Sequence, residues 1–232
     1  MISFHLKYWL LLGFFMVALT VSAQKSDSTR NWDNQIYIGN KVATAVGKWR
    51  FSGELQVRLK DDMQSLDNWF LEGVTTFLLS ENIELVPDFR ISVKPDEMEY
   101  RPGFGIVYKF LKKDFQFVNQ LKWQIDIDNH GNSNNGLRYA IFINRKIADK
   151  LISNFAFGAF YRWRDNFNGF EYFRFGPGLG YVINEQHTIN FNYLISAKNN
   201  QVYWEWSGIP VIQLLININK DYRYVPAKYI SF

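Results

Sequence analysis

The sequence contains no cysteine, and only 3 of its 232 residues are histidine. The absence of thiols excludes a disulfide framework, a thiolate metal site, a cysteine nucleophile and acylation of an N-terminal cysteine. Long apolar runs are also missing from most of the chain, and the mean hydropathy is -0.21. A polytopic helical membrane protein is therefore excluded, because it would need several runs of about 20 apolar residues.

Aromatic residues are abundant instead. The chain has 21 Phe, 13 Tyr and 8 Trp, which together make up 18% of it. So much apolar area excludes an intrinsically disordered protein. The net charge of +4 is too small and too evenly spread to indicate a nucleic-acid partner. The length suits one large all-β domain, or one to two domains of ordinary size.

The first residues have the organisation of a signal peptide. Lys7 precedes an apolar run over residues 8–21, and the small residues Ser22 and Ala23 follow. A basic start, a short apolar segment and a small-residue cleavage site direct export. We therefore predict a cleaved signal peptide over 1–23, a short N-terminal segment over 24–31 and a β-barrel domain over 32–232. The alternative is an uncleaved N-terminal membrane anchor.

Most of the remaining chain alternates between apolar and polar residues with a period of two, as strands with one buried face do. In residues 114–128, for example, Leu121 and Trp123 alternate with Lys122 and Gln124. The pattern is clear in the segments 48–60, 83–93, 114–128, 137–143, 151–163, 173–181 and 189–197, and weaker in 32–40, 68–79, 101–112 and 209–219. These segments predict about eleven long antiparallel strands. Short turns are expected to alternate with longer polar loops at 61–67, 95–100, 129–136, 164–169 and 198–208.

Two barrel architectures can use this alternation. A small soluble barrel would have to hold most of the aromatic rings in one lumen, whereas a transmembrane barrel places them outward against lipid. We therefore predict an all-β, up-and-down antiparallel transmembrane β-barrel of about 10–12 strands. Bacterial single-chain barrels have an even number of strands. Either residues 222–232 form a twelfth strand, or one weak segment is not a strand and the barrel has ten.

The two faces of the strands predict a charged lumen and an aromatic outer surface. The lumen-facing charged residues are expected to be Arg50, Glu54, Arg58, Glu84, Asp88, Arg90, Lys122, Arg138, Arg162 and Arg174. The lipid-facing aromatic residues are expected to be Trp49, Phe51, Phe115, Phe117, Trp123, Tyr139, Phe155, Phe157, Tyr161, Phe173, Phe175, Tyr181, Phe191 and Tyr193. Inward arginines can belong to salt-bridge networks that fill the lumen, which we favour, or form an anion-selective ring.

The rhythm of strands and arginines resembles a known family. The matching features are Trp32 with Ile36 and Ile38, the stretches 49–51 and 56–59, the loop 64–67, the strand pair 68–93 with Phe89-Arg90, and Gly178-Leu179-Gly180-Tyr181. They resemble domain of unknown function family 2490, over nearly the whole mature chain. The resemblance implies an exported outer-membrane β-barrel of Bacteroidota-type bacteria, and it implies no activity.

One loop resembles part of a calcium site. Asp126, Asp128 and His130 alternate before Gly131, as ligands do in the first half of a calcium loop. Leu137 stands where the bidentate Glu of such a loop would be expected. The competing interpretation, which we favour, is an Asn- and Gly-rich hairpin loop.

The sequence shows no catalytic constellation. A barrel phospholipase needs a His-Ser pair, and Ser196 is far from His187 along its strand. Asp61 and Asp62 could supply the carboxylates of a protease, but no histidine accompanies them in sequence. Gly176, Gly178 and Gly180 lie in a strand with no following helix, so we read them as a smooth inward stripe and not as a phosphate cradle.

These observations predict an outer-membrane β-barrel, structural or narrowly pore-like, without a cofactor or a catalytic site. Its expected partners are outer-membrane lipids and the barrel-assembly machinery. Two alternatives remain open, namely an outer-membrane barrel enzyme acting on lipid or envelope polymer, and a secreted soluble β-barrel that binds an apolar ligand.

Overall fold

The structure is a computed structural model, and it describes residues 32–164 and 166–219. The strands are β1 (Trp32–Asn34), β2 (Ile36–Val46), β3 (Trp49–Lys60), β4 (Ser65–Leu78), β5 (Ile83–Val93), β6 (Met98–Lys112), β7 (Phe115–Asp128), β8 (Ser133–Ala148), β9 (Leu151–Arg164), β10 (Phe167–Val182), β11 (His187–Asn199) and β12 (Trp204–Asn217). No helix of membrane-spanning length and apolarity occurs within the described ranges. The signal peptide predicted over 1–23 and the strand considered over 222–232 lie outside them.

The strands form one closed sheet. Each strand from β2 to β11 pairs antiparallel with the next, and β12 then pairs with β2. The short β1 continues the line of β2, because Asn34 faces Gly208 and Tyr37 faces Val211 in a single register. The described part of the chain is therefore an all-β, up-and-down barrel of eleven strands, in which β1 and β2 form the first.

The number of strands explains how the barrel closes. In an up-and-down meander with an odd number of strands, the first and the last run in the same direction. The seam of β12 with β1 and β2 is accordingly parallel, whereas the other ladders are antiparallel. The even count expected from bacterial barrels is wrong for the described residues, and so is the ten-strand alternative, because all four weak segments form strands.

The expected longer loops are also wrong. The connections at 61–64, 94–97, 129–132 and 200–203 have only four residues each, because the strands run on into the predicted loops. Polar residues such as Asp67, Glu99 and Glu205 gave these stretches a loop-like composition, but they lie on strands. A strand end that lines a wet cavity therefore has the polar composition of a loop.

We call the end of the barrel with the connections 61–64, 94–97, 129–132 and 200–203 the cup rim, and the other end the opposite rim.

Side chains alternate between the lumen and the outer face along every long strand. On β7, Gln120 and Lys122 are 7% and 2% exposed, whereas Leu121 and Trp123 are 49% and 48% exposed. An apolar cluster also lies inside the barrel, and its members are Tyr37, Val86, Val107, Val118, Ala140, Phe142, Ala156, Leu194, Ile209 and Val211. The lumen is therefore filled by both apolar and charged side chains.

Candidate functional site: a charged cup at one end of the lumen

The charged residues predicted for the lumen lie on the inner face. Glu54, Arg58, Glu84, Arg90, Lys122 and Arg138 are buried there. Asp88 is paired with Lys122, and Arg162 and Arg174 line the cup described below. Arg50 is half-buried, and it shares the inner face of β3 with Glu54 and Arg58.

The predicted lipid-facing aromatic residues are on the outer face of the barrel. Trp49, Phe51, Trp123 and Tyr181 are exposed there, whereas others, such as Phe157, are half-buried against their neighbours.

Rings gather near both ends of the outer face, and aliphatic side chains lie between them. Towards the opposite rim, the ring centroids of Trp49 and Phe77 are 4.6 Å apart, and Phe110 stacks on Phe117 at 4.8 Å. Towards the cup rim, ring contacts join Tyr161, Trp163, Phe170, Phe173 and Trp204. The level between them carries mostly exposed aliphatic residues, with the rings of Tyr139 beside Leu121 and Phe191 beside Ile212 among them. These aliphatic residues are Leu55, Leu71, Ile106, Leu121 and Ile212.

A polar cavity of about 760 Å³ opens at the cup rim, and we call it the cup. Its wall and mouth carry both charges, and its charged lining residues are Asp33, Arg58, Lys60, Asp61, Asp62, Asp67, Arg90, Lys94, Glu99, Arg101, Arg162, Glu171, Arg174, Lys198 and Glu205. Tyr37, Phe160 and Tyr172 contribute rings, and Ser92, Ser196 and Ser207 contribute hydroxyl groups. A charged lining with few apolar groups suits a hydrophilic ligand.

One wall of the cup is a continuous ion-pair network across β6, β7, β9 and β10. Arg101 pairs with Glu99 at 2.7 Å and also with Asp126. Asp126 bridges to Arg162 at 2.6 Å, and Arg162 in turn pairs with Glu171. Each arginine of this wall thus has two carboxylate partners, and the network joins strands that are not neighbours in sequence.

Lys94 extends this wall into the loop between β5 and β6. Its ammonium lies 3.1 Å from Glu99 and 3.5 Å from Glu97. Burial alone would lower the pKa of Lys94, but the two carboxylates more than offset burial and raise that pKa above its usual range. Lys94 therefore remains a cation whose charge is already compensated.

Two arginines of the cup floor have a different environment. Arg58 donates through Nε to Gln56 Oε1 at 2.8 Å, and Arg174 donates through Nε to Ser196 Oγ at 3.3 Å. Among the described residues, no carboxylate lies within ion-pair distance of either guanidinium. The third floor arginine, Arg90, is paired with Glu72 at 3.1 Å.

Below the floor the lumen is sealed. Phe70, Phe142, Arg90 and Lys122 are each at most 2% exposed, although they all point inward. Lys122 connects Glu72, at 3.6 Å, to Asp88 and so closes the centre with charges that balance one another. Water does not reach this level from either end, so the described lumen is a blind cup and not an open channel.

The predicted calcium ligands do not converge. Asp126 faces the lumen and is occupied by Arg101 and Arg162. Asp128 instead holds the hairpin loop, since it accepts hydrogen bonds from the backbone N–H groups of His130 and Asn132, each at 2.9 Å. No group of three or more potential metal ligands occurs within the described ranges.

His187 and the glycines Gly176 and Gly178 make local contacts that belong to the fold. The His187 ring contacts Asn184 Oδ1 at 2.9 Å at the opposite rim, on the same strand as Ser196 but far from it. A Cβ at Gly178 would collide with the side-chain amide of Asn192, and a Cβ at Gly176 with the carbonyl oxygen of Tyr193. These glycines therefore make room for the neighbouring strand, as a smooth inward stripe requires.

Sequence reasoning missed several residues of the lumen. Tyr37, Phe70 and Phe160 are apolar residues that point inward, because they share the parity of charged neighbours on their strands. The signal was present, since three consecutive apolar residues in a strand force one of them to the inner face. Glu171 lies beside a β-bulge between Phe170 and Tyr172, and a change of parity at a bulge leaves no mark in the alternation.

The sequence model of a family described as "Protein of unknown function (DUF2490)" matches residues 29–207. The chain belongs to this family. The DUF2490 match covers β1 to β11 and the start of β12, and therefore the strands that carry the cup. No curated protein matches the sequence. Among solved structures, the NanC porin in a rhombohedral crystal form is similar over 79% of this chain and 98% of that chain, with 13% identity and a TM-score of 0.49.

Proposed function

We propose that this DUF2490 member is an integral outer-membrane protein that is exported through a cleaved signal peptide and embedded in lipid by the outer face of its barrel. The observation that carries the proposal is the reversal of polarity between the two faces. Every strand from β2 to β12 exposes at least one large apolar side chain, while the lumen contains the buried ion pairs. Soluble monomers rarely expose continuous apolar surface of this extent.

The arrangement of the outer face supports the same proposal. Exposed residues that are mostly aliphatic form a belt, and aromatic clusters flank it on both sides, as in barrels that cross a bilayer. The strands β2 to β12 have 11 to 16 residues, and tilted spanning strands need about 9–11. A soluble barrel for an apolar ligand is less well supported, because the cup is lined with charges.

The test compares one substitution in the belt with one beyond it. Leu121→Arg places a charge in the middle of the aliphatic belt, where it should cost about 2–4 kcal/mol and reduce the folded fraction in envelopes. Ile147→Arg, at the exposed end of β8, should leave the folded fraction unchanged. The readouts are heat-modifiable gel mobility and the distribution between detergent-extracted envelopes and periplasm.

Two results would overturn the membrane assignment. One is recovery of the wild-type protein in the soluble periplasm, and the other is equal folding of the two variants. Equal folding would contradict the assignment because, on a soluble barrel, residue 121 faces water and an arginine there would cost little.

We further propose that the barrel is non-enzymatic and does not conduct ions in the described conformation. The sealed level at Phe70, Phe142 and Lys122 supports the absence of conduction. Purified protein in planar bilayers should show no steady single-channel current at moderate voltage. Stable channels with the conductance of a wide, water-filled pore would contradict the seal.

A further inference from the structure

We propose that the floor of the cup binds a small hydrophilic anion with at least two carboxylate or phosphate groups, and that Arg58 and Arg174 are its ligands. The site lies in the lumen alone, so anion binding there does not depend on the membrane location.

Arg58 is a buried cation without a carboxylate partner among the described residues. The residue is only 8% exposed, and its Nη2 is buried without any hydrogen-bond partner among the described residues. A guanidinium has five N–H donors, and here the side chain of Gln56 accepts from one of them. A buried cation without a counter-charge is costly, and the cost falls when an anion binds beside it.

Arg174, on the neighbouring part of the floor, is half-buried and likewise has no carboxylate within ion-pair distance among the described residues. Its guanidinium carbon lies 4.4 Å from the ring centroid of Tyr172 and 5.7 Å from that of Tyr37. Arg58 lies 4.4 Å from the same Tyr37 ring, so the two guanidinium carbons are at most about 10 Å apart. Rings hold both arginines in place, and neither ring neutralises their charge.

The other cations of the floor and wall do not share this state. Arg90, Arg101, Arg162 and Lys94 each pair with one or two carboxylates, whereas Arg58 and Arg174 do not. The carboxylates at the cup mouth are outside ion-pair distance of both floor arginines, and each has a local donor. These contacts are Asp33 with Gln35, Asp61 with Ser65, Asp62 with Asn34, Asp67 with Asn68, and Glu205 with Asn200. Lys60 and Lys198 of the lining also have no ion pair among the described residues, but Lys60 is half-buried and Lys198 is exposed, so water can solvate their charges. The deeply buried positive charge without a counter-charge is therefore that of Arg58, on the floor.

The geometry also indicates the class of ligand. Two separate guanidinium forks favour a molecule with two anionic groups, because each fork can bind one carboxylate or phosphate through paired hydrogen bonds. A cup of about 760 Å³ has the size of a small-molecule site. The hydroxyls of Ser196 and Ser207 and the amide of Gln124 add neutral hydrogen-bonding groups. A hydrophilic polyanion fits this lining, and an acyl chain does not.

The experiment titrates the folded, detergent-solubilised protein with citrate at low salt in a calorimeter, with acetate and glycerol as comparison ligands. We expect saturable citrate binding, much weaker acetate binding, no glycerol binding, and a loss of affinity as salt is added. Arg58→Gln and Arg174→Gln should each weaken citrate binding about tenfold or more, since each removes one charge-assisted contact. Arg145→Gln removes the same charge at the opposite rim, so it should change the affinity less than about twofold.

Folding is checked for each variant by heat-modifiable mobility. Arg174→Gln and Arg58→Lys provide second variants if Arg58→Gln does not fold. The assignment is wrong if the wild type binds no citrate, if acetate binds as tightly as citrate, or if folded Arg58 and Arg174 variants retain wild-type affinity. Because binding is measured in detergent, these outcomes are independent of the fractionation that tests the membrane proposal.

Discussion

The wall and the floor of the cup use the same side chain in opposite ways. Arg101 and Arg162 on the wall each contact two carboxylates, and Asp126 joins them into one network. Arg58 and Arg174 on the floor pack against rings and contact no carboxylate among the described residues. All four guanidinium groups line the same cavity.

The difference shows which charges contribute to stability and which are available to a ligand. Breaking a buried ion pair leaves an uncompensated charge, so the wall network is expected to hold the strands in their positions. A buried cation that lacks a counter-charge contributes little or nothing to stability, but it makes a strong anion contact when a ligand arrives. The two arginine pairs should therefore respond differently to the same substitutions.

The largest effect is expected from Asp126→Asn. This carboxylate is 2% exposed and neutralises two arginines, so its loss should lower the free energy of unfolding by about 3 kcal/mol. Urea unfolding in phospholipid vesicles measures the change. Asp114→Asn is the matched control, because the Asp114 carboxylate is 73% exposed and its pair with Arg145 should be worth less than about 1 kcal/mol. Equal effects of the two substitutions would show that the wall network is not structural.

A smaller effect is expected when the arginines themselves are replaced. Arg162→Met leaves Glu171 without its arginine partner, so the free energy of unfolding should fall by about 2 kcal/mol. Arg58→Met removes a buried cation that has no counter-charge, which should stabilise the fold. The loss of its contacts with Tyr37 and Phe70 should offset part of this stabilisation. The change at Arg58 should therefore stay within about 1 kcal/mol of zero. If the two methionine variants are equally destabilised, the distinction between wall and floor fails.

The fold could be predicted from the sequence because the alternation along each strand is a local pattern, which shows the two faces of the sheet without knowledge of which strands pair. Alternation alone separated Leu121 and Trp123 from Lys122, and it placed the charged residues on the inner face. The closure could not be predicted in the same way. An odd number of strands with a parallel seam depends on how the strands pair, and no single residue carries that information.

The site was predictable only in part, for a physical reason. The sequence indicates that Arg58, Arg101, Arg162 and Arg174 occupy strands, but it does not indicate which carboxylates they meet. Arg162 meets Asp126 from a strand 36 residues away, and it meets Glu171 through a bulge that alters the parity of β10. Whether an inward arginine is paired is thus decided by tertiary register.

The smallest effect is expected from a substitution that gives a wall arginine fewer carboxylate partners and so makes it more like the floor arginines. Glu171→Gln removes one of the two partners of Arg162, which leaves a partly compensated guanidinium facing the cup. Citrate affinity should then rise by about two- to fivefold, since the gain is only a fraction of a full charge-assisted contact. Glu205→Gln, at the exposed mouth, removes the same negative charge without freeing an arginine, so it corrects for the general change in potential. Calorimetric titration of both variants separates the two contributions. An equal rise in both would mean that the cup senses only net charge, whereas a rise confined to Glu171→Gln would show that pairing determines which arginines can bind the anion.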